Sequence, residues 1–177
     1  AFCRSNSGYR VHVLLRFDRP VAARGTWGGR TTDDGRAAAG PGVGGWVSFD
    51  TREDPVVRVR LGVSFVGAAG ARRNLEAEDR GWVTQRYRSA AERAWSRELG
   101  RIDVAGGAPQ DRRRLATALY HVLLHPTLLS DADGRYPGFD GRVHQVAPGR
   151  RHYTAIPGWD SYRTHLPLLA WLRPDVA

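Results

Sequence analysis

Methionine and lysine are both absent from this 177-residue chain. Because methionine is missing even from position 1, we expect the sequence to be a piece of a longer protein. The 27 basic residues are all arginine, and against 18 acidic residues they give a formal net charge of +9. Basic chains often bind nucleic acids. Here the arginines are scattered, with no aromatic–basic platform and no known nucleic-acid motif. The charge therefore favours a solvated surface and no nucleic-acid partner.

Cysteine and long apolar runs are also scarce. Cys3 is the only cysteine, which excludes an internal disulfide and any cysteine-rich zinc site. No run of about 18 apolar residues occurs, so the sequence predicts no membrane span. The polar opening residues do not match a signal peptide. With 41% hydrophobic and 10% aromatic residues, the chain has enough apolar material for a core.

The first third of the chain has the period-two pattern of β-strands. Apolar and polar residues alternate over 9–18 and again over 56–65, and a shorter strand is predicted at 46–51. Alternation predicts strands with the apolar face buried, and several such strands predict part of a β-sandwich. The Gly-rich stretch over 19–45 is predicted to be a long loop or a hairpin.

Helical periodicity replaces this pattern after residue 66. It predicts helices over 70–78, 83–99, 110–125 and 161–172, with a long polar loop over 130–152. Pro126 should kink or end the third helix. Strands followed by helices imply two domains rather than one α/β sheet.

Two groups of residues have partial metal-binding patterns. Asp131, Asp133 and Gly134 resemble the start of a calcium loop, but loop positions 6 and 12 hold Tyr136 and Arg142 in place of Gly and Glu. An Asp-rich turn with Gly134 at positive φ is the better interpretation.

The second group is a histidine pair, His121 and His125, at the i, i+4 spacing of a zinc site. Val122 stands where a metalloprotease needs its glutamate, and no third ligand is evident. A histidine satisfied between two helices is the favoured interpretation of His121.

The segment from Trp159 to Arg163 is the remaining candidate site. An aromatic face beside a carboxylate is typical of sugar binding, since the ring covers C–H surfaces and the carboxylate accepts hydroxyl hydrogen bonds. The alternative is structural, with Asp160 as a helix N-cap and Trp159 in the core. No nucleophile motif, P-loop or dinucleotide-binding motif occurs in the chain.

The order of several segments resembles that of glycoside hydrolase family 92, the calcium-dependent exo-acting α-mannosidases. Each segment alone is moderately specific, whereas their shared order is strongly specific. The segments are YRVHVLLRFDRPVAARGTW, GGWVSFDT, VRLGVSFVGAAGARRNLEAE, AAERAWSRELGRIDVAGG, ALYHVLLHPTLLSDADGRYPGFDGRVH and YTAIPGWDSYRTHLPLLAWLRPD.

This resemblance implies a fold in several parts. Residues 1–66 would be the C-terminal part of an N-terminal β-sandwich, residues 67–107 a helical linker, and residues 108–177 the first helices of an (α/α)6 catalytic barrel.

The resemblance also implies a function, the inverting hydrolysis of terminal α-mannosides of glycans. Asp160 would hold sugar hydroxyls, Trp159 would wall the site, and Arg163 would orient Asp160. The family's acid and base lie in segments like GNEPSHH and GNDDxGxMSxW, which do not occur here. The catalytic pair and most Ca²⁺ ligands are therefore expected outside this chain, which alone should be inactive. Secretion, or a cell-surface or periplasmic location, follows from the same resemblance. A non-catalytic carbohydrate-binding module is the alternative.

Overall fold

The computed structural model describes residues 9–32, 37–156 and 158–177. Cys3 lies outside these residues. The described strands are short, and four of them lie among the helices. In chain order the elements are β1 His12–Phe17, β2 Ala23–Trp27, β3 Arg30–Thr32, β4 Ala37–Ala39, β5 Gly44–Ser48, β6 Val59–Ser64, α1 Ala68–Ala77, α2 Thr84–Leu99, α3 Pro109–Val122, β7 Thr127–Leu128, β8 Arg135–Pro137, β9 Val143–Gln145, β10 Tyr153–Thr154, α4 Gly158–Ser161 and α5 His165–Leu172.

The strands pair in antiparallel twos: β1 with β6, β2 with β5, β3 with β4, β7 with β10 and β8 with β9. The Gly-rich stretch is therefore a hairpin excursion, as one of its two interpretations predicts. The loop predicted over 130–152 contains the β8–β9 hairpin, which the sequence pattern did not reveal.

The β1–β6 pair carries the predicted alternation, but the covered face is the opposite of the predicted one. Val13 pairs with Val63 and Leu15 with Leu61, and these four side chains are 38–53% exposed. The face that contains Gly62 instead packs against α1. Gly62 has no side chain, so α1 approaches the strand backbone closely at this point, and the helix covers that face.

The helices largely match the predicted ones. Helices α1, α2 and α3 lie within two residues of the predicted starts. The terminal segment differs, because the predicted helix over 161–172 is split into α4 and α5 by a turn at 162–164. The buried apolar side chains are few, and those of the described residues are Ala71, Leu75, Leu119, Leu169 and Leu172.

Side chains also tie the end of α2 to the end of α5. Arg101 and Arg173 both contact the Glu98 carboxylate, at 2.6 and 3.2 Å, and Arg101 also donates to the Leu172 carbonyl. The hydrogen bond from Arg101, and then the charge of Arg173, hold the pKa of Glu98 below its usual range. The terminal helix is thereby fixed to α2. No described helix is both long enough and apolar enough to cross a membrane.

Candidate functional site

Trp159 and Asp160 lie in α4, a single helical turn between β10 and α5. Trp159 is 84% exposed and Asp160 is exposed. The alternative interpretation placed Asp160 at a helix N-cap and Trp159 in the core. It is wrong for both residues, because Asp160 lies inside the turn and Trp159 lies outside the core. Within the described part of the chain, the Asp160 carboxylate has no hydrogen-bond or ion-pair partner. An indole and a carboxylate are therefore presented side by side to solvent.

The far end of this turn is anchored to α3. Ser161 is 3% exposed, and Leu169 and Leu172 of α5 are buried. His165 Nε2 donates to the Val122 carbonyl oxygen at 2.9 Å. His165 is thus the histidine satisfied between two helices, whereas His121, predicted for that role, is exposed.

The near end of the turn is held by the β7–β10 pair. The Leu129 and Ser130 amides both donate to the His152 carbonyl, at 2.9 and 3.2 Å, and the His152 amide donates to Ser130 Oγ at 3.1 Å. The His152 ring stacks on Tyr136, with centroids 3.8 Å apart. The backbone that enters the site is therefore held by a short strand pair and one stacked ring.

Ala155, directly after β10, has a φ of 59°. This left-handed conformation costs a non-glycine residue about 1–2 kcal/mol. Such positions persist only where the surrounding structure determines them, and they concentrate at functional sites. Ala155 is therefore a strained backbone position at the entrance to the α4 turn.

Arg163 does not contact Asp160 in this arrangement. Its guanidinium lies 5.4 Å from the centroid of the Tyr162 ring. Both residues are exposed. Trp159 and Asp160 are thus neighbours in the structure, whereas Arg163 lies near the Tyr162 ring. The predicted roles of all three residues stay predictions.

The second feature of this region is Asp131, whose carboxylate is buried although the sequence predicted a solvated turn. The turn itself is confirmed, since the Gly134 amide donates to the Asp131 carbonyl and Gly134 has a φ of 83°. The Asp131 side chain, however, is only 5% exposed and accepts hydrogen bonds from Ser64 and Asn74, both at 2.7 Å. No local pattern marks these partners, because they lie 67 and 57 residues away.

Asp140 and His144 form an exposed pair on the β8–β9 hairpin. His144 Nε2 lies 2.9 Å from Asp140 Oδ1, and the Arg142 amide donates to the same oxygen at 3.0 Å. The His144 hydrogen bond, and then that of Arg142, hold the pKa of Asp140 below its usual range. Asp140 is therefore ionised at neutral pH and is occupied within its own hairpin.

The acidic residues do not assemble into a metal centre in the described part of the chain. Calcium takes 6–8 oxygen ligands, often carboxylates. Among these residues no group of three or more His, Cys, Asp or Glu side chains lies in a metal-binding arrangement. The described acidic residues therefore do not fit a calcium site of their own.

The strand-then-helix order agrees with the family comparison. Residues 70–177 match the model of the glycosyl hydrolase family 92 catalytic domain, and residues 1–64 match the family's N-terminal domain. The chain belongs to glycosyl hydrolase family 92. Domain boundaries at 66 and 107 stay predictions for this family 92 chain.

Solved structures of the family share the fold. The GH92 α-mannosidase BT3965 from Bacteroides thetaiotaomicron is 26% identical, with a TM-score of 0.77 over 91% of this chain. The GH92 inverting mannosidase BT2199 from B. thetaiotaomicron VPI-5482 is 25% identical, with a TM-score of 0.76 over 93%. An uncharacterized secreted glycosidase of Arthroderma benhamiae is 32% identical over 90 residues, 48% of this chain.

The family 92 chain spans only part of these relatives. It covers 22% of BT3965, 23% of BT2199 and 12% of the Arthroderma protein. The structural likeness therefore establishes the order of the two family domains, whereas the activity of the whole protein is a matter for the proposal that follows.

Proposed function

We propose that this chain is part of an inverting exo-α-mannosidase that hydrolyses terminal α-mannosides of glycans, and that Trp159 and Asp160 help to bind the mannose. The observation that carries the proposal is the α4 turn. It presents a Trp side chain that is 84% exposed beside a carboxylate with no partner among the described residues. The names of the α-mannosidases that share the fold support the choice of substrate.

The residue types suit a sugar. The apolar face of an indole covers the C–H surface of a pyranose ring, and a carboxylate accepts hydrogen bonds from two adjacent hydroxyls. Hydrogen bonds to a charged group contribute about 1.5–3 kcal/mol each, about twice as much as neutral ones. A carboxylate without a protein partner keeps this capacity for the ligand. Arg163 is proposed to support Asp160 when the sugar binds.

The catalytic pair is proposed to lie outside this chain. Inversion needs an acid on the leaving oxygen and a base that activates water from the opposite face, with the two carboxyl groups roughly 6.5–9.5 Å apart. The segments that carry this pair in the family are absent from the sequence. The 177-residue polypeptide alone is therefore proposed to be inactive, and most ligands of the implied Ca²⁺ are proposed to lie outside it as well.

The two parts of the chain are proposed to belong to a β-sandwich and to an (α/α)6 barrel, joined by the helical linker. Two uncovered apolar surfaces support this assignment. One is the β1–β6 face that contains Val13 and Leu61, and the other includes Trp171 of α5, which is 72% exposed. Contiguous apolar surface usually marks a contact region. Secretion or a cell-surface location is proposed from the name of the Arthroderma relative.

The site is tested by Asp160→Asn and Trp159→Ala in the protein that the native gene encodes. We expect Asp160→Asn to lower kcat/KM on an α-mannoside roughly 10- to 100-fold, since it removes charged hydrogen bonds worth about 1.5–3 kcal/mol. Asp111→Asn is the matched control, because that carboxylate is exposed on α3 and, among the described residues, its ion pair is with Arg114. Equal activities of the two Asp variants would exclude Asp160 from the site.

The broader proposal has its own test. The native gene product should release mannose, whereas the purified polypeptide 1–177 should not. Calcium-dependent mannose release by residues 1–177 alone would refute the assignment of the catalytic pair. A native product with the mass of only 177 residues, able to bind but not hydrolyse mannosides, would favour the carbohydrate-binding module instead.

A further inference from the structure

We propose that Asp131 is a positioning residue for the mannose site, acting through the backbone that carries Trp159 and Asp160 without touching the sugar. This inference rests on the proposed function of those two residues. It starts from the buried Asp131 carboxylate, which is only 5% exposed. Neighbouring Asp133, not Asp131, pairs with the arginines of this region, Arg73 and Arg135, both at 2.9 Å. A buried carboxylate held only by neutral donors needs a specific explanation.

In the hydrogen bonds around Asp131, each partner is fixed as a donor or an acceptor. Ser64 Oγ accepts from the Val66 and Gly67 amides, at 2.9 and 3.2 Å, so its single proton is left for Asp131 Oδ2. Asn74 Nδ2 donates one proton to the Val63 carbonyl and the other to Asp131 Oδ1.

The oxygen of the Asn74 amide makes the remaining hydrogen bond of this network. Asn74 Oδ1 accepts from the Ala132 amide at 2.7 Å. Every donor of the Ser64 hydroxyl and the Asn74 amide is thus committed, and both oxygens at position 131 must be acceptors. Only a carboxylate satisfies this requirement, whereas an amide would place a donor against a donor.

The packing of α1 leaves room for this carboxylate. A Cβ placed on Gly70, in the first turn of α1, would lie within 2.5 Å of Ser64 Oγ and would overlap Asp131 Oδ2. The carboxylate therefore lies directly against the first turn of a ten-residue helix, where negative charge is favoured.

The network also joins the two family domains of this chain. Ser64 is the last residue of the N-terminal-domain match, and Asn74 and Asp131 lie within the catalytic-domain match over 70–177. It therefore sets how the segment after α3 lies against β6 and α1.

A few hydrogen bonds and a short stretch of backbone connect Asp131 to the candidate site. Ser130, adjacent to Asp131, is 9% exposed and bonds to the His152 backbone on both sides. His152 immediately precedes β10, whose only described partner is the two-residue strand β7. β10 then leads through Ala155 into α4. The end of the α4 turn that follows β10 therefore depends on the Asp131 anchor, while its other end is held at α3 by His165.

Asp131→Asn in the native gene product tests the inference, with Asp133→Asn as the matched control. The control makes the same chemical change two residues away and breaks the ion pairs with Arg73 and Arg135, but leaves the hydrogen bonds from Ser64 and Asn74 to Asp131 intact. We expect Asp131→Asn to raise KM roughly tenfold with kcat little changed, because a displaced site loses ground-state and transition-state binding equally. Asp133→Asn should leave KM within about twofold of the unchanged protein, because partly exposed ion pairs contribute little and the Asp131 hydrogen bonds are kept.

Backbone hydrogen exchange gives a readout that does not need activity. Asp131→Asn should accelerate exchange in β10 and α4, whereas Asp133→Asn should not. If Asp131→Asn does not fold, Ser64→Ala is the second variant. It removes the donor to Asp131 Oδ2 together with the acceptor of the Val66 and Gly67 amides, and it should shift KM and exchange in the same direction.

The outcomes separate this inference from the proposed function. Faster exchange with unchanged KM, or equal effects of the Asp131 and Asp133 variants, would overturn the positioning role while leaving the mannosidase proposal intact. If the unchanged protein does not hydrolyse mannosides, the proposed function fails, and with it a role for Asp131 at a mannose site. The exchange data would then still show whether Asp131 anchors α4.

Discussion

Gly62→Ala is the sharpest test of how α1 is held on the β1–β6 pair. A Cβ placed on Gly62 would overlap the Ala71 carbonyl oxygen and lie 2.8 Å from Leu75 Cβ. Ala71 and Leu75 are 0% and 6% exposed, so neither has free space to move into. The extra methyl group must therefore push α1 away from the strand.

The magnitude follows from two opposing effects. Overpacking a buried contact costs about 1–3 kcal/mol. Replacing glycine by alanine within a strand otherwise stabilises by about 0.5–1 kcal/mol. Because the Cβ would overlap a backbone oxygen, the overpacking cost should be about 2–3 kcal/mol, and we expect a net loss of about 1–2 kcal/mol in the free energy of unfolding. With a urea m-value of about 2 kcal/mol/M, the midpoint should fall by about 0.5–1 M.

The matched control is Gly45→Ala in strand β5. A Cβ there would meet only the Gly25 carbonyl oxygen, at 3.5 Å, which is an ordinary contact. Urea unfolding of the native gene product, followed by circular dichroism, should show Gly45→Ala unchanged or slightly stabilised. Equal midpoints for the two variants would refute the reasoning, because α1 would then be free to shift without loss of packing.

Two further predictions concern α2 and its surroundings. The pKa of Glu98 is lowered by Arg101 and then Arg173, so its stabilising effect is present above the ordinary value of 4.5 and is lost as pH falls through the lower folded value. Glu98→Gln should therefore reduce the urea midpoint more at pH 7 than at pH 3, and an equal reduction at both pH values would contradict this. The Arg60 guanidinium lies 3.6 Å from the centroid of the Trp82 ring. Trp82→Leu should lower the free energy of unfolding by about 0.5–2 kcal/mol, measured by urea titration, with Trp82→Phe less affected because it keeps an aromatic face. Equal losses in both variants would show that the ring face is not responsible.

Local patterns predicted the elements that depend on local physics. Helices α2 and α3 are where their apolar periodicity placed them, and Gly134 has the positive φ expected of a turn glycine. Family membership was recognisable from the order of short segments and is confirmed by the family models. The assignment of Trp159 and Asp160 stays a prediction, and their exposure is consistent with it.

Sequence patterns gave wrong predictions where contacts between distant parts of the chain decide which residues are covered or paired. The alternation in β1 is correct, but it does not reveal which face a helix will cover, and α1 covers the face that contains Gly62. The β7–β10 pair joins two-residue strands, too short for any period to be visible. Polar sequence over 130–152 predicted a solvated loop, although residues 135–137 and 143–145 within it pair as strands β8 and β9.

By itself, the sequence determined the first strands, the helices α1 to α3, the turn at Gly134 and the side-chain chemistry of the candidate site, because these depend on neighbouring residues and on residue type. Only the tertiary structure decided that Asp131 is buried while Trp159 and Asp160, 28 and 29 residues further along, remain exposed. Burial of a carboxylate requires donors to converge on it. The donors are Ser64 and Asn74, and they reach Asp131 only after α1 has packed against β6.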